Sequence, residues 1–118
     1  MIEDLVAGLT DAAGGLCVTD PATGEAIASV RTYSDADVAT IVDRADAARF
    51  DWAKRTAKDR ARILRAWHDL VMARQDELAR IVTTESGKPI AEARAEIAYG
   101  AAFIEWFAEE GRRAYGET

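Results

Sequence analysis

The chain is poor in the residues that build disulfides and zinc sites. Its 118 residues include one cysteine, Cys17, and one histidine, His68. A single cysteine cannot form an internal disulfide, and a structural zinc site needs several Cys or His ligands. The sequence therefore predicts neither a disulfide framework nor a metal site, and it fits a reducing, cytoplasmic setting.

The chain also lacks long apolar runs and an excess of basic residues. No run approaches the roughly 20 apolar residues of a membrane helix. Residues 1–16 contain acids but neither lysine nor arginine, unlike a secretory signal peptide. The net charge is -6, whereas nucleic-acid binding usually needs a basic face that releases counterions. We therefore expect no membrane span, no secretion and no nucleic-acid partner.

What is present is a globular balance, with 49% hydrophobic and 31% charged residues. The length suffices for one compact domain with its own core. Residues 1–15 are predicted to be a flexible terminus or a short helix, and the folded part is predicted to span residues 16–118.

A β-hairpin is predicted at the start of the folded part. Leu16 to Thr19 and Ala26 to Val30 are short strand-like segments on either side of Asp20-Pro-Ala-Thr-Gly-Glu25. Proline presets its own φ, Asp can bond the backbone ahead of it, and Gly24 can take a positive φ. These residues favour a tight reversal between two antiparallel strands.

Four helices are predicted after the hairpin, which makes the chain mainly α-helical. The first begins at Ser34, whose spacing to Asp37 is a near capping box, and should end near Arg49. The second begins at Thr56, which has the same spacing to Asp59. The third is predicted over Gln75–Glu85 with Gly87 as a left-handed cap, and the fourth over Ile90–Ala114.

The fourth predicted helix is apolar on two faces. The stripe expected to face inward is Ile90, Ala93, Ile97, Ala101, Ile104 and Ala108. The second stripe is Ala95, Tyr99, Phe103, Trp106 and Phe107. A helix that is apolar over most of its surface should be covered on more than one side. One hairpin and three other helices do not obviously supply that cover.

Three blocks of residues resemble the amino-terminal region of the aldehyde dehydrogenase superfamily. They are Asp20–Glu25, Leu78–Arg94 and Glu96–Glu117. Within the third, Phe103-Ile-Glu-Trp-Phe-Ala-Glu-Glu-Gly-Arg-Arg113 is similar to the succinate-semialdehyde and glutarate-semialdehyde dehydrogenase branch. The resemblance covers about residues 17–118. It implies that residues 16–118 form the hairpin and helical part of the cofactor-binding domain of a larger α/β enzyme.

The resemblance also implies a reaction. A cysteine thiolate attacks the aldehyde, hydride leaves to NAD or NADP, and a glutamate-activated water hydrolyses the thioester. The implied substrate is a small semialdehyde, and the implied enzyme is a cytoplasmic homo-oligomer. Domain exchange through the hairpin or the long helix is a further expectation for a chain with uncovered apolar faces.

None of the family's catalytic or cofactor-binding residues is matched in this chain. Cys17 lacks the family's Gly-Gln-x-Cys context and is interpreted as a half-buried strand residue. Gly87-Lys88 lacks the glycine and the hydroxyl residue of a phosphate loop, because Val82 and Pro89 stand at those positions. His68 is interpreted as a surface or capping residue, and the charged end of the fourth helix, Glu109–Arg113, as a solvated terminus.

The resemblance does imply one role in binding. The matched helix passes beside the aldehyde entry tunnel, so Ala95, Tyr99 and Phe103 are predicted to line that tunnel. Ordinary core packing against another domain remains the alternative for these three residues.

Two interpretations of the whole chain stay open. In the first it is a truncated or proteolysed aldehyde dehydrogenase, inactive by itself. In the second it is a free-standing, non-catalytic helical module that binds a partner through Tyr99, Phe103 and Trp106. The first predicts a sticky or oligomeric protein, and the second predicts a monodisperse one.

Overall fold

The computed structural model describes residues 15–117 as one hairpin followed by four helices. The elements are β1 (Leu16–Thr19), β2 (Ala26–Val30), α1 (Asp35–Lys54), α2 (Ala57–Ala73), α3 (Gln75–Ser86) and α4 (Ile90–Glu110). The predicted architecture, mainly α with a hairpin at the start, is confirmed. The prediction for residues 1–14 lies outside the described residues.

The hairpin forms as its turn residues predict. β1 and β2 pair antiparallel from Leu16 opposite Val30 to Thr19 opposite Ala26, with an irregularity between Val18 and Thr19. In the turn, the Asp20 carboxylate accepts a hydrogen bond from the Ala22 amide at 2.7 Å. Gly24 takes φ +75° and its amide donates to the Asp20 carbonyl at 2.8 Å.

Cys17 is exposed, so the prediction of a half-buried strand residue was wrong. The reason is that the sheet has only two strands, β1 and β2, within the described residues. A two-stranded sheet leaves much of its surface open unless another layer packs on it.

Two helix ends also differ from the prediction. α1 continues to Lys54, so Phe50 and Trp52 lie inside this helix instead of after it. α4 ends at Glu110 and not at Ala114. There the amides of Arg112 and Arg113 turn back to carbonyls three residues earlier, which tightens and closes the last turn.

The core of the described residues lies along α4. The buried hydrophobic residues are Ala79 of α3 and Ala93, Ala101 and Ala108 of α4. Small side chains at the contact let helices approach closely, and α4 packs against both α2 and α3. The predicted inward stripe of α4 is thereby confirmed, since Ile90, Ile97 and Ile104 are at least partly covered beside the buried alanines.

The hairpin turn meets the end of α3 at a glycine. Gly87 caps α3 with φ +72°, as predicted for a left-handed cap. A Cβ at this position would lie 3.2 Å from Cγ of Pro21 in the hairpin turn. Glycine at this position therefore allows the positive φ without strain, and it leaves room for the hairpin turn to approach closely.

α1 carries an apolar face without cover. Every residue of this helix is exposed, including the apolar side chains of Val38, Ile41 and Val42. Its start is nonetheless well defined, because Ser34 and Asp37 form the full capping box. α1 is thus held by its own hydrogen bonds and cap and not by a packed core. None of the described helices is long and apolar enough to cross a membrane.

Replacing Ala101 by leucine should destabilise the fold by about 1–3 kcal/mol, because the larger side chain overpacks the α4 contact. Urea unfolding followed by circular dichroism measures this change. Ala102→Leu is the matched control, since Ala102 is exposed one residue along the same helix. Equal effects of the two substitutions would contradict the buried stripe.

The cap of α1 should be pH-dependent. The Ser34 hydroxyl and backbone amide hydrogen-bond the Asp37 carboxylate and lower the pKa of that group. The cap is therefore complete above the ordinary carboxyl pKa of about 4 and is lost as the pH falls through the lowered value. Ser34→Ala should raise the pKa of Asp37, which NMR titration of its carboxyl carbon measures.

The matched control for that titration is Ser86→Ala. The Ser86 hydroxyl donates to the Val82 carbonyl, far along the chain from Asp37. An Asp37 pKa that stays lowered in the Ser34 variant would show that the cap is not its cause.

Candidate functional site: the outer face of α4

The predicted tunnel residues lie together on the outer face of α4. Tyr99 and Phe103 are one helical turn apart, and their rings meet edge to face with centroids 4.9 Å apart. Ala95 lies one turn before Tyr99 and is exposed. The structure thus brings these side chains onto one face, and their role in a tunnel stays a prediction.

This face is strongly apolar and open. Tyr99 is 69% exposed, Phe103 47% and Trp106 62%. Phe107 is also exposed beside them. A contiguous exposed aromatic patch of this kind marks a surface that contacts another protein segment or a ligand. The predicted second stripe of α4 is therefore uncovered by any other element of residues 15–117.

Ionic contacts connect α4 to both preceding helices on the two sides of its buried stripe. One guanidinium N–H of Arg65 in α2 donates a hydrogen bond to the Glu105 carboxylate, and another donates to the Glu109 carboxylate. At the other end, Arg94 pairs with Asp76 of α3 at 2.7 Å, and the Gln75 amide donates to the Arg94 carbonyl at 3.0 Å. These contacts are made in the orientation in which the buried alanines face α2 and α3 and the aromatic stripe faces outward.

The Arg65 fork was not found in the sequence. Glu109 was interpreted there as part of a solvated helix end, and Arg65 and Glu105 were not singled out. Their separation along the chain is 40 residues or more, so only the packing of α2 on α4 reveals the contact. The hydrogen bond from Arg65 to Glu109 raises the pKa of the guanidinium most. The hydrogen bond to Glu105 is the next largest cause.

The remaining polar candidates do not form a catalytic set. The Nδ1 atom of His68 lies 3.0 Å from the carboxylate of its neighbour Asp69. Lys88 pairs with Glu96. The Thr83 hydroxyl is buried without a hydrogen-bond partner. Among residues 15–117, no three His, Cys, Asp or Glu side chains are grouped to hold a metal ion.

The described helix starts do not fit a dinucleotide phosphate. Such a site uses free amides at a helix start that follows a glycine-rich loop. α1 and α2 begin at hydroxyl caps, Ser34 and Thr56, whose oxygens already accept the amides. α3 begins after its N-cap Arg74 and α4 after its N-cap Pro89, both without a side-chain cap, but neither start follows a glycine-rich loop. None of the helix starts in residues 15–117 therefore follows the glycine-rich loop of a dinucleotide phosphate site.

Comparison with known proteins places the chain in a family. The model of the aldehyde dehydrogenase family matches residues 10–118. The chain belongs to the aldehyde dehydrogenase family. Its relatives include a glutarate-semialdehyde dehydrogenase of Pseudomonas putida and an NADP-dependent succinate-semialdehyde dehydrogenase of Escherichia coli. Each is 52% identical over 101 residues, which is 86% of this chain and 21% of the relative.

Solved structures agree with this assignment. An NADP-dependent enzyme of Escherichia coli matches with a TM-score of 0.83 and 51% identity, over 86% of this chain and 21% of that one. An aldehyde dehydrogenase of Brucella melitensis biovar abortus matches with a TM-score of 0.84 over the same shares. The chain thus spans about one fifth of these aldehyde dehydrogenases and is a partial piece of their fold.

Removing the Arg65 fork should loosen the end of α4. Arg65→Gln leaves Glu105 and Glu109 one turn apart without a cation, so their repulsion lowers the melting temperature. Because the residues are partly exposed, salt should shrink the difference from the native chain. Calorimetry at low and high salt measures both effects.

Arg62→Gln is the matched control. Arg62 is exposed on the same helix, and its substitution removes the same charge. A salt-independent loss that is equal in both variants would show that the fork does not stabilise α4.

Proposed function

We propose that this chain is the amino-terminal segment of an NAD(P)-dependent semialdehyde dehydrogenase, which oxidises succinate or glutarate semialdehyde to the dicarboxylic acid. The supporting observation is the 52% identity to both kinds of dehydrogenase across most of the chain. Residues 16–118 would form the hairpin and helical part of the cofactor-binding domain. The segment by itself would be inactive.

The exposed faces of α1 and α4 support this proposal. A domain that folds for itself covers its large apolar side chains, whereas here Val42, Trp106 and Tyr99 are each more than half exposed. These surfaces are what a segment would present to the remaining four-fifths of a relative's chain. The enzyme would be cytoplasmic and homo-oligomeric, with domain exchange through the hairpin or α4 as one route to association.

The residues present in this chain determine which parts of the reaction it would contribute to. NAD or NADP, when bound to the whole enzyme, supplies the hydride acceptor. The described residues would contribute no nucleophile or base. Ala95, Tyr99 and Phe103 would instead form one wall of the substrate tunnel, where edge-to-face rings give a rigid apolar surface that excludes water.

The alternative, a non-catalytic helical module, uses the same aromatic face for a protein partner. It is supported by the stable α2–α3–α4 packing within this chain. The two functions differ in what the segment does inside a relative, so grafting separates them.

The test is a graft into the Escherichia coli succinate-semialdehyde dehydrogenase that shares 52% identity with the chain. Its matching segment is replaced by residues 17–118, and NADP⁺ reduction is measured with succinate and glutarate semialdehydes. We expect the graft to be active with at least one of them, and the 118-residue chain alone to show no turnover. A soluble, folded graft without activity would contradict the proposal.

Substitution of Tyr99 within the graft tests the tunnel wall. Tyr99→Ala should raise KM for the semialdehyde about tenfold with a smaller change in kcat, because it removes binding surface and no reacting group. Arg62→Ala, on an exposed site of α2, is the control that should leave both constants unchanged. A fall in kcat with unchanged KM would contradict the proposed role of Tyr99.

A further inference from the structure

Arg65 connects α2 to α4 where the apolar contact of α4 is thin. Within residues 15–117 the buried residues are all alanines, and Ala101 and Ala108 lie before and after Glu105, one of the two partners of Arg65. An alanine side chain buries little area, so its packing contributes less free energy than that of a leucine or a phenylalanine. Polar contacts between α2 and α4 therefore carry a larger share of what holds α4 in place.

The contact is a fork from one guanidinium to two carboxylates. One N–H of Arg65 donates to Glu105 and another donates to Glu109. The two acceptors are one helical turn apart on α4. Because a planar guanidinium directs its N–H groups in fixed directions, both bonds form only within a narrow range of heights and rotations of α4. A lysine, with a single charged nitrogen, would restrict α4 less.

The predicted tunnel wall lies between this fork and a second ionic contact. Arg94 pairs with Asp76 of α3 at 2.7 Å, and the fork begins at Glu105. The stretch of α4 between these two contacts holds the whole predicted wall, namely Ala95, Tyr99 and Phe103. A shift of α4 at either contact would therefore move the wall.

A glycine within this stretch increases the importance of the contacts on either side. Gly100 lies directly after Tyr99 inside α4, and a Cβ there would meet nothing within 4 Å. Packing among the described residues therefore does not require this glycine, which weakens a helix interior relative to alanine. The helix is intrinsically weak beside Tyr99, so the contact that follows Gly100 decides how firmly Phe103 is held against it.

From these contacts we propose that Arg65 is a positioning residue of the enzyme, whose fork to Glu105 and Glu109 holds α4 so that Tyr99 and Phe103 form the wall of the substrate tunnel. Arg65 acts through α4 and not on the substrate. Loss of the fork weakens binding of the aldehyde and leaves the reacting groups unchanged, so it changes KM and not kcat. The inference rests on the proposed function, including the tunnel wall.

The experiment is a kinetic comparison in the graft that carries residues 17–118 within the Escherichia coli succinate-semialdehyde dehydrogenase. Arg65→Gln should raise KM for the semialdehyde about threefold, less than the loss of Tyr99 itself, with kcat nearly unchanged. Arg65→Lys keeps the cation without the planar fork and should give an intermediate KM. Arg62→Gln, at an exposed position of the same helix, is the matched control and should leave both constants unchanged.

A double variant separates positioning from a general loss of stability. In a graft that already carries Tyr99→Ala, Arg65→Gln should raise KM by a smaller factor than in the unmodified graft, because one of the rings that it positions is absent. Independent effects would instead multiply. Thermal unfolding shows that each variant is folded at the assay temperature.

The possible outcomes separate this inference from the proposed function. An active graft in which Arg65→Gln and Arg62→Gln give equal constants would overturn the role of Arg65 and leave the proposed function standing. A fall in kcat alone, or effects of Arg65→Gln and Tyr99→Ala on KM that multiply, would also overturn it. A folded graft without activity would reject the proposed function and the role of Arg65 with it. If the glutamine variant does not fold, Arg65→Lys against Arg62→Lys decides in the same way.

Discussion

The described structure depends on the close contact that α4 makes with α2 and α3 through alanines. Ala93, Ala101 and Ala108 are buried on one side of α4, and Ala79 of α3 is buried among its neighbours. Because these side chains are small, the helices approach closely but each buries little apolar area. The ionic contacts of Arg65 and Arg94 accompany this packing at the two ends of α4. With the alanine side held inward, the aromatic side has to face outward.

That constraint explains how a small helical unit can be ordered and still leave large apolar surfaces uncovered. Tyr99 and Trp106 are exposed because it is the opposite side of α4 that packs against α2 and α3. The chain spans about one fifth of the aldehyde dehydrogenases it matches, and under the proposed function this surface would face the rest of the enzyme.

Sequence reasoning predicted the parts of the fold that local chemistry determines. Asp20 and Gly24 specify the hairpin turn, Ser34 with Asp37 specifies the start of α1, and Gly87 specifies the end of α3. The apolar period of α4 distinguished its inner stripe from its outer one. Contacts between distant positions, such as Arg65 with Glu109, had no local signal. Cys17 was misjudged because strand-like sequence does not tell whether a second layer covers the sheet.

Hydrogen exchange of the 118-residue chain, read by mass spectrometry, tests the central claim that α4 is the element on which the fold depends. The account predicts that amides in the middle of α4 exchange slowest and that those of α1 exchange fastest among the helices, since α1 is the helix in which every residue is exposed. Protection of α1 equal to that of α4 would contradict the account, because it would require a packed core that does not include the alanine contact.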